Sequence, residues 1–163
     1  GIFRYPVFQA TLPTASRAGP PTPSLNTLVV HVGEGESELR LHHGGRRSGD
    51  MPYQVLHTAS YIGHPSYSPD ARLIAVDMAH DGETDIAIID AENGGVVRLI
   101  ERPGNDFTPA WSTDGSRIAF GGVVDGDIEL FAVALDSGEI TRLTNSPGFD
   151  GAPVFVPATA LPD

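Results

Sequence analysis

Histidines and carboxylates are the residues of this chain best suited by type to chemistry, so their spacing is read first. Four of the six histidines, His31, His42, His43 and His57, fall in one stretch. His42 and His43 are adjacent, and neighbours in a strand point to opposite faces, so the pair cannot easily share one metal. His31 and one of that pair would meet across neighbouring strands; surface or core histidines are the competing reading. Asp81, Glu83 and Asp85, then Asp125 and Asp127, line two equivalent hairpins. Their hard oxygens suit calcium, but the spacing matches no calcium loop, and turn formation already explains Asp-Gly. Asp106 and Asp150 sit at the entries to successive repeats and are expected to fix loops by accepting bonds from backbone amides. No Gly-x-Ser-x-Gly elbow, phosphate loop or dinucleotide fingerprint occurs. Gly121-Gly122 reads as a strand end with no helix after it to hold a phosphate. There is no cysteine, hence neither a disulfide framework nor a thiolate metal site. No catalytic, metal or cofactor-binding residue is assigned, and the chain is not expected to be an enzyme.

Charge and composition narrow the partners. The 163 residues carry a formal charge of −11, and all ten basic residues are arginines. Such an acidic surface disfavours nucleic acid and anionic lipid headgroups. No apolar run approaches the ~20 residues that a spanning helix needs. The chain begins at Gly1 rather than Met, as a processed mature form or a partial sequence would. Nineteen glycines and fourteen prolines suit an all-β chain with many turns.

The elements that must position these residues come from a repeat. Pro65, Pro109 and Pro153 are spaced 44 apart. Residues 65–99 (PSYSPDARLIAVDMAHDGETDIAIIDAENGGVVRL) and 109–143 (PAWSTDGSRIAFGGVVDGDIELFAVALDSGEITRL) share one plan. Each opens on a short strand, Pro65 to Pro69 in the first, that ends in a Pro-Asp or Asp-Gly turn. A continuous apolar strand follows, then an Asp-Gly hairpin, a third strand, a Gly-containing turn and a fourth strand. Residues 25–60 are a worn copy with three strand candidates. Residues 149–163 begin a further copy and then depart from it. Residues 1–24 form a Pro-rich extended arm with Phe3, Tyr5 and Phe8 at its front. In one reading of the arm, Tyr5 to Leu12 is a strand on a neighbouring blade. In the other, the three aromatics anchor on a partner.

A fixed period of this length means stacked units, and four short antiparallel strands make one propeller blade. The expected fold is therefore all-β: a partial β-propeller of four-stranded antiparallel blades, about three blades plus one extra strand. The blades are residues 25–60, 61–104 and 105–148. Small residues Ser66, Ala110 and Ala152 are assigned to the crowded axis. Tyr67, Trp111 and Phe155 recur at one position and are assigned to the core between blades.

The repeats resemble those of the TolB-type β-propeller, also seen in the propeller domains of prolyl-oligopeptidase-like enzymes. The resemblance rests on Pro65-Ser-Tyr-Ser-Pro-Asp70, Pro109-Ala-Trp-Ser-Thr-Asp-Gly115, Ile118-Ala-Phe120, Asp127-Ile128 and Arg142-Leu-Thr-Asn-Ser-Pro-Gly148. It implies protein binding in the periplasm or cell envelope, where such a propeller grips a lipoprotein without catalysing a reaction. The α/β domain that precedes the TolB propeller has no counterpart in these 163 residues. Three blades are too few for a closed ring. The chain is therefore expected to be half of a ring completed by a second copy, an arc capped by another protein, or part of a longer protein. The functional expectation is a non-catalytic interaction or scaffold module, an accessory subunit of an envelope or membrane-associated complex. It would be peripheral to the membrane through its partner and need no cofactor. The alternative is the substrate-gating propeller of a prolyl-oligopeptidase-like hydrolase. A calcium- or glycan-binding propeller is a third option.

Overall fold

The computed structural model describes residues 10–11, 27–42 and 52–156. These form three four-stranded antiparallel sheets, and no helix occurs among them. The first sheet holds β1 (Ala10–Thr11), β2 (Thr27–Val32), β3 (Ser37–His42) and β4 (Tyr53–Ala59). The second holds β5 (Ile62–Tyr67), β6 (Leu73–His80), β7 (Glu83–Asp90) and β8 (Val96–Ile100). The third holds β9 (Asp106–Trp111), β10 (Arg117–Val124), β11 (Asp127–Ala134) and β12 (Ile140–Arg142). Each sheet is a meander in chain order, the arrangement of a propeller blade, and the three make a partial propeller.

Turn chemistry sets the registers. Asp81-Gly82 and Asp125-Gly126 close the β6–β7 and β10–β11 hairpins with both central residues at positive φ (46° and 90°; 53° and 89°). That is the twist a two-residue hairpin needs, and glycine supplies the more demanding half. The turn after the first strand is held by side chains. Ser68 Oγ donates to Asp70 Oδ1 at 2.7 Å and accepts from the Leu73 amide at 3.0 Å. Ser112, Asp114 and the Arg117 amide repeat this at 2.7 and 2.9 Å.

The core lies between sheets. Leu28, Leu39 and Leu56 of the first blade meet Ile62, Ile74, Val76, Met78, Ala87 and Ile89 of the second. Ala75, Ile86, Ile88 and Ile100 on the other face of the second blade meet Trp111, Ile118, Phe120, Phe131 and Val133 of the third. The alternation Ile74, Ala75, Val76 thus feeds two interfaces, so the apolar run of β6 has no polar gaps. Burying both faces of one sheet against two neighbours is what makes stacked repeats stable.

Ala10–Thr11 pairs with Thr27 and Leu28 in the first blade's sheet, and the rest of residues 1–24 lies outside the described residues. Three expectations are corrected. The first strand of the second blade is Ile62–Tyr67 and ends before the Pro-Asp turn, because Ser68 already belongs to that turn. Gly121 and Gly122 lie within β10, not at a strand end. A Cβ at Gly122 would collide with the buried Arg102 guanidinium where it now lies, so glycine leaves room for that side chain. Ala152 does not match Ser66 and Ala110; it matches His64 and Thr108. All three have left-handed backbones, at φ 54°, 40° and 53°, and each directly precedes a repeat proline. Val154 takes the place of Ser66 and Ala110.

Candidate interaction surface

The two ends of the stack differ in chemistry, and the difference starts in sequence alternation. In the second and third blades, the face turned to the preceding blade carries Ile74, Val76, Ala87 and Ile89, then Ile118, Phe120, Phe131 and Val133. Strand pairing places Val29, His31, Glu38 and Arg40 at the equivalent positions of the first blade. This rear face pairs its charges internally, beside Val29 and the exposed Tyr53 and Val55, which strand register sets on the same side. Arg40 Nε pairs with Glu38 Oε2 at 2.6 Å, and its guanidinium lies 4.4 Å from the Tyr53 ring. His42 stacks at a tilt on Tyr53 with centroids 5.3 Å apart. A terminal repeat with a polar outer face is how stacked repeats end in water.

The forward end is apolar. Counting 44 onward from Ala75, Ile86 and Ile88 gives Ala119, Leu130 and Ala132 on the third blade. Beside them stand large apolar side chains open to solvent: Leu143 (54% exposed), Phe149 (72%), Val154 (81%) and Val156 (55%). Phe149 is bridged to Ile128, and Leu143 donates its amide to the Leu130 carbonyl. Other apolar side chains stand exposed elsewhere, at Val32, Tyr53, Val55, Tyr61, Val96 and Val97, but the two most exposed, Phe149 and Val154, lie here, and adjoining exposed apolar groups mark an interaction surface.

An open groove of about 520 Å³ runs across the first strands of successive blades, and the recurrent aromatics line it. Tyr67, Trp111 and Phe155 share it with Ser66, Ala110 and Pro153. Trp111 is buried in the core between the second and third blades and donates its indole N–H to the Ser66 carbonyl at 3.0 Å. Tyr67 is half-buried and packs on the core between the first and second blades. Burial pushes its phenol up to about 12. Phe155 is half-buried. Phe3, Tyr5 and Phe8 lie outside the described residues.

Buried polar groups hold the blades rather than gather around one point. Asp106 is fully buried beside Arg102, with Oδ1 2.6 Å from a guanidinium nitrogen. Its carboxyl rises to about 7 because burial outweighs the pull of Arg102. The expected role of Asp106 is thereby corrected: its contact is the guanidinium, and the neighbouring Asn105 side chain accepts the Thr84 amide instead, at 2.9 Å. Asp150 accepts from the Ser146 hydroxyl at 2.9 Å. Asp77, also fully buried, accepts from Tyr61 at 3.0 Å and pairs with His64 at 2.9 Å, which raises the pKa of His64. Glu129 accepts from Thr144 and from Arg142 (2.7 Å), and the Thr144 bond leads in lowering its pKa. His64–Asp77 and Arg102–Asp106 were not singled out from sequence, since neither pair lies in a recognisable motif. Among the described residues no three His, Asp or Glu side chains are grouped as a metal site would need. His31 pairs across strands with Glu38 rather than with another histidine.

The blades are also clasped by a repeated bond. His57 Nδ1 meets the Gly94 carbonyl at 3.0 Å, and Arg98 donates to the Leu135 carbonyl at 2.6 Å; both bonds span 37 positions. Each runs from the last strand of one blade to the last hairpin of the next. Arg142, 44 positions after Arg98, turns back to Glu129 and the Thr144 carbonyl in its own blade.

The family model for the TolB β-propeller domain matches residues 48–160, more than half of the chain. No curated protein sequence matches. TolB from Acinetobacter baumannii is similar in structure, with TM-score 0.68 and 19% identity, over 79% of this chain and 32% of that one. The structure described as putative TolB from Agrobacterium tumefaciens also gives 0.68, at 22% identity, over 78% of this chain and 45% of that one. A puromycin hydrolase gives 0.64 at 16% identity, over 82% of this chain and 22% of that one. The chain spans less than half the length of each of these structures. At such identities they establish a common fold.

Proposed function

The chain belongs to the TolB β-propeller domain family, and from that premise we propose that it is a non-catalytic protein-interaction module that binds through its forward end. The observation that carries this reading is the contrast between the two ends. The rear face holds its charges in internal pairs, while Leu143, Phe149, Val154 and Val156 stand in solvent at the other. Leaving such a patch exposed is costly at about 25 cal/mol per Å² of apolar surface, and a partner removes that cost. The role is that of an accessory subunit of a cell-envelope complex, in the periplasm or another extracytoplasmic compartment, where TolB-type propellers act. A two-copy ring is disfavoured. It would seat Arg40 and Glu38 on Leu130, Ala119 and Ala132, and burying that pair would cost more than it returned.

The test is saturable capture. Immobilised chain, incubated with bacterial envelope proteins, should retain a partner at fixed stoichiometry, displaced by free chain and weakened at least tenfold by Phe149→Glu. Retention unchanged by Phe149→Glu would contradict the placement, and absence of any displaceable partner would contradict the reading. A second reading, a gating propeller within a hydrolase, draws support from the likeness to puromycin hydrolase. The full reading frame decides it: a hydrolase domain bearing a Gly-x-Ser-x-Gly elbow would favour that reading.

A further inference from the structure

Asp85, in β7, is a buried carboxylate held by a single long contact. Its side chain is 6% exposed, and the nearest cationic group among the described residues is Nδ1 of His80, at the end of β6, 3.5 Å away. That lies beyond the usual range of an N–H···O bond. The same nitrogen stands 3.5 Å from Glu101, the residue after β8. Burial leads in raising the Asp85 carboxyl, His80 opposes it, and Glu101 and Glu83 add to it. The next blade shows what this position accepts. Glu129, 44 positions on, is also buried, and it takes a guanidinium nitrogen of Arg142 at 2.7 Å together with the Thr144 hydroxyl. In the second blade both of those partners are gone. Arg98 stands where Arg142 does but turns its guanidinium to the Leu135 carbonyl, and Ile100 replaces Thr144. His80 and Glu101 replace Val124 and Asn145, so a second carboxylate stands beside the first across one imidazole.

We propose that Asp85 and Glu101 together bind the guanidinium of an arginine from a partner polypeptide, with His80 yielding its place between them. Two carboxylates that flank one nitrogen at equal distance suit a planar group with donors on several edges. A metal ion is a poorer fit, because among the described residues the acids are not grouped as it would need. The entrance is open: His80 is 31% and Glu101 63% exposed. Glu83 lies opposite His80 in the β6–β7 hairpin, and with exposed Asp81 it adds negative charge that draws a cation in. The chain's own Arg102 is held by Asp106 at 2.6 Å and does not fill the site. The acidic entrance repels the carboxylate of a free arginine, a charge that a peptide-bonded residue lacks. The site lies on the second blade and uses none of the forward-end side chains.

The test titrates the full chain with acetyl-Gly-Arg-Gly-amide and follows the His80 imidazole and the Thr84–Ile86 amides by NMR. The expected result is a saturable shift with one peptide per chain. Binding should weaken about tenfold for Asp85→Asn, which removes the buried charge at constant shape. It should weaken about threefold for Glu101→Gln, whose exposed position leaves the blade intact. Phe149→Glu should have no effect. Peptides with lysine or citrulline in place of arginine, and free arginine, should each bind about fivefold more weakly. No saturable shift, or binding indifferent to both substitutions, would overturn the proposal. So would a lysine peptide or free arginine binding as tightly as the arginine peptide. Should the peptide bind while envelope capture fails, the forward-end reading alone falls; the reverse outcome removes the arginine site alone.

Discussion

The indole N–H of Trp111 donates to the carbonyl of Ser66, 45 positions earlier and one blade away. Each residue lies in the first strand of its own blade, so one bond ties two sheets where they crowd together. The aromatic that fills the space between blades thereby also fixes their spacing.

Trp111→Phe keeps most of the apolar volume and removes this bond. The expected loss is about 1–2 kcal/mol, near the net value of one hydrogen bond plus a small packing defect. Trp111→Ala should cost about 3–5 kcal/mol. Urea unfolding followed by far-UV circular dichroism checks both. Equal losses for the two variants would mean that the bond contributes nothing separate.

Stability should fall as pH rises through neutrality. Burial raises the Asp106 carboxyl from its ordinary range to about 7. Its contribution is therefore complete below about 4 and is lost as pH climbs through 7. His64, raised chiefly by its bond to Asp77, acts in the same direction: its contribution is present below 6.5 and lost above its folded value. Asp114 acts oppositely. The Ser112 hydroxyl leads in lowering it to about 2, so its contribution holds above 4 and fades as pH falls through 2. Maximum stability is predicted near pH 4, where Asp114 is ionised and Asp106 has not begun to lose its contribution. Denaturant midpoints of the parent and Asp106→Asn across pH 4–9 test this. The variant should lose the decline between about 4 and 7 that Asp106 causes, and parallel curves would contradict it.

Ala71 occupies the position of Gly115, and both are left-handed, at φ 60° and 72°. An L-residue there costs about 1 kcal/mol. Ala71→Gly should raise Tm by roughly 2–4 °C, and Gly115→Ala should lower it by a similar amount. Calorimetry on the two variants checks the pair, and shifts of equal sign would contradict the assignment.

Arg98 carries the clasp between the second and third blades. Arg98→Met retains the aliphatic stem and removes the bond to Leu135, at a predicted cost of about 1–2 kcal/mol. Amide exchange around Asp136–Gly138 should quicken before exchange in β10 does. Uniform quickening across all three blades would show that the bond is not local to that hairpin.

Much of the fold was legible because each turn carries its own chemistry. Ser68 with Asp70, and Ser112 with Asp114, repeat at the blade period and announce where each first strand ends. Asp81-Gly82 and Asp125-Gly126 do the same for the central hairpins. The paired polar groups were not legible. Arg102 and Asp106 are close in sequence but mark no motif, and His64 meets Asp77 only because a bulge falls between Gly63 and Ser66. The contrast between the ends was hidden for another reason. Val29, His31, Glu38 and Arg40 look like any half-exposed strand face until strand register sets them against the positions of Ile74, Val76, Ala87 and Ile89.

The forward end as the binding end is tested most directly by deuterium exchange on the full chain, alone and in the purified complex with its captured envelope partner. The account predicts slowed exchange at residues 143–156, with residues 27–42 unchanged. Protection gained at 27–42 while 143–156 exchanges as before would contradict it.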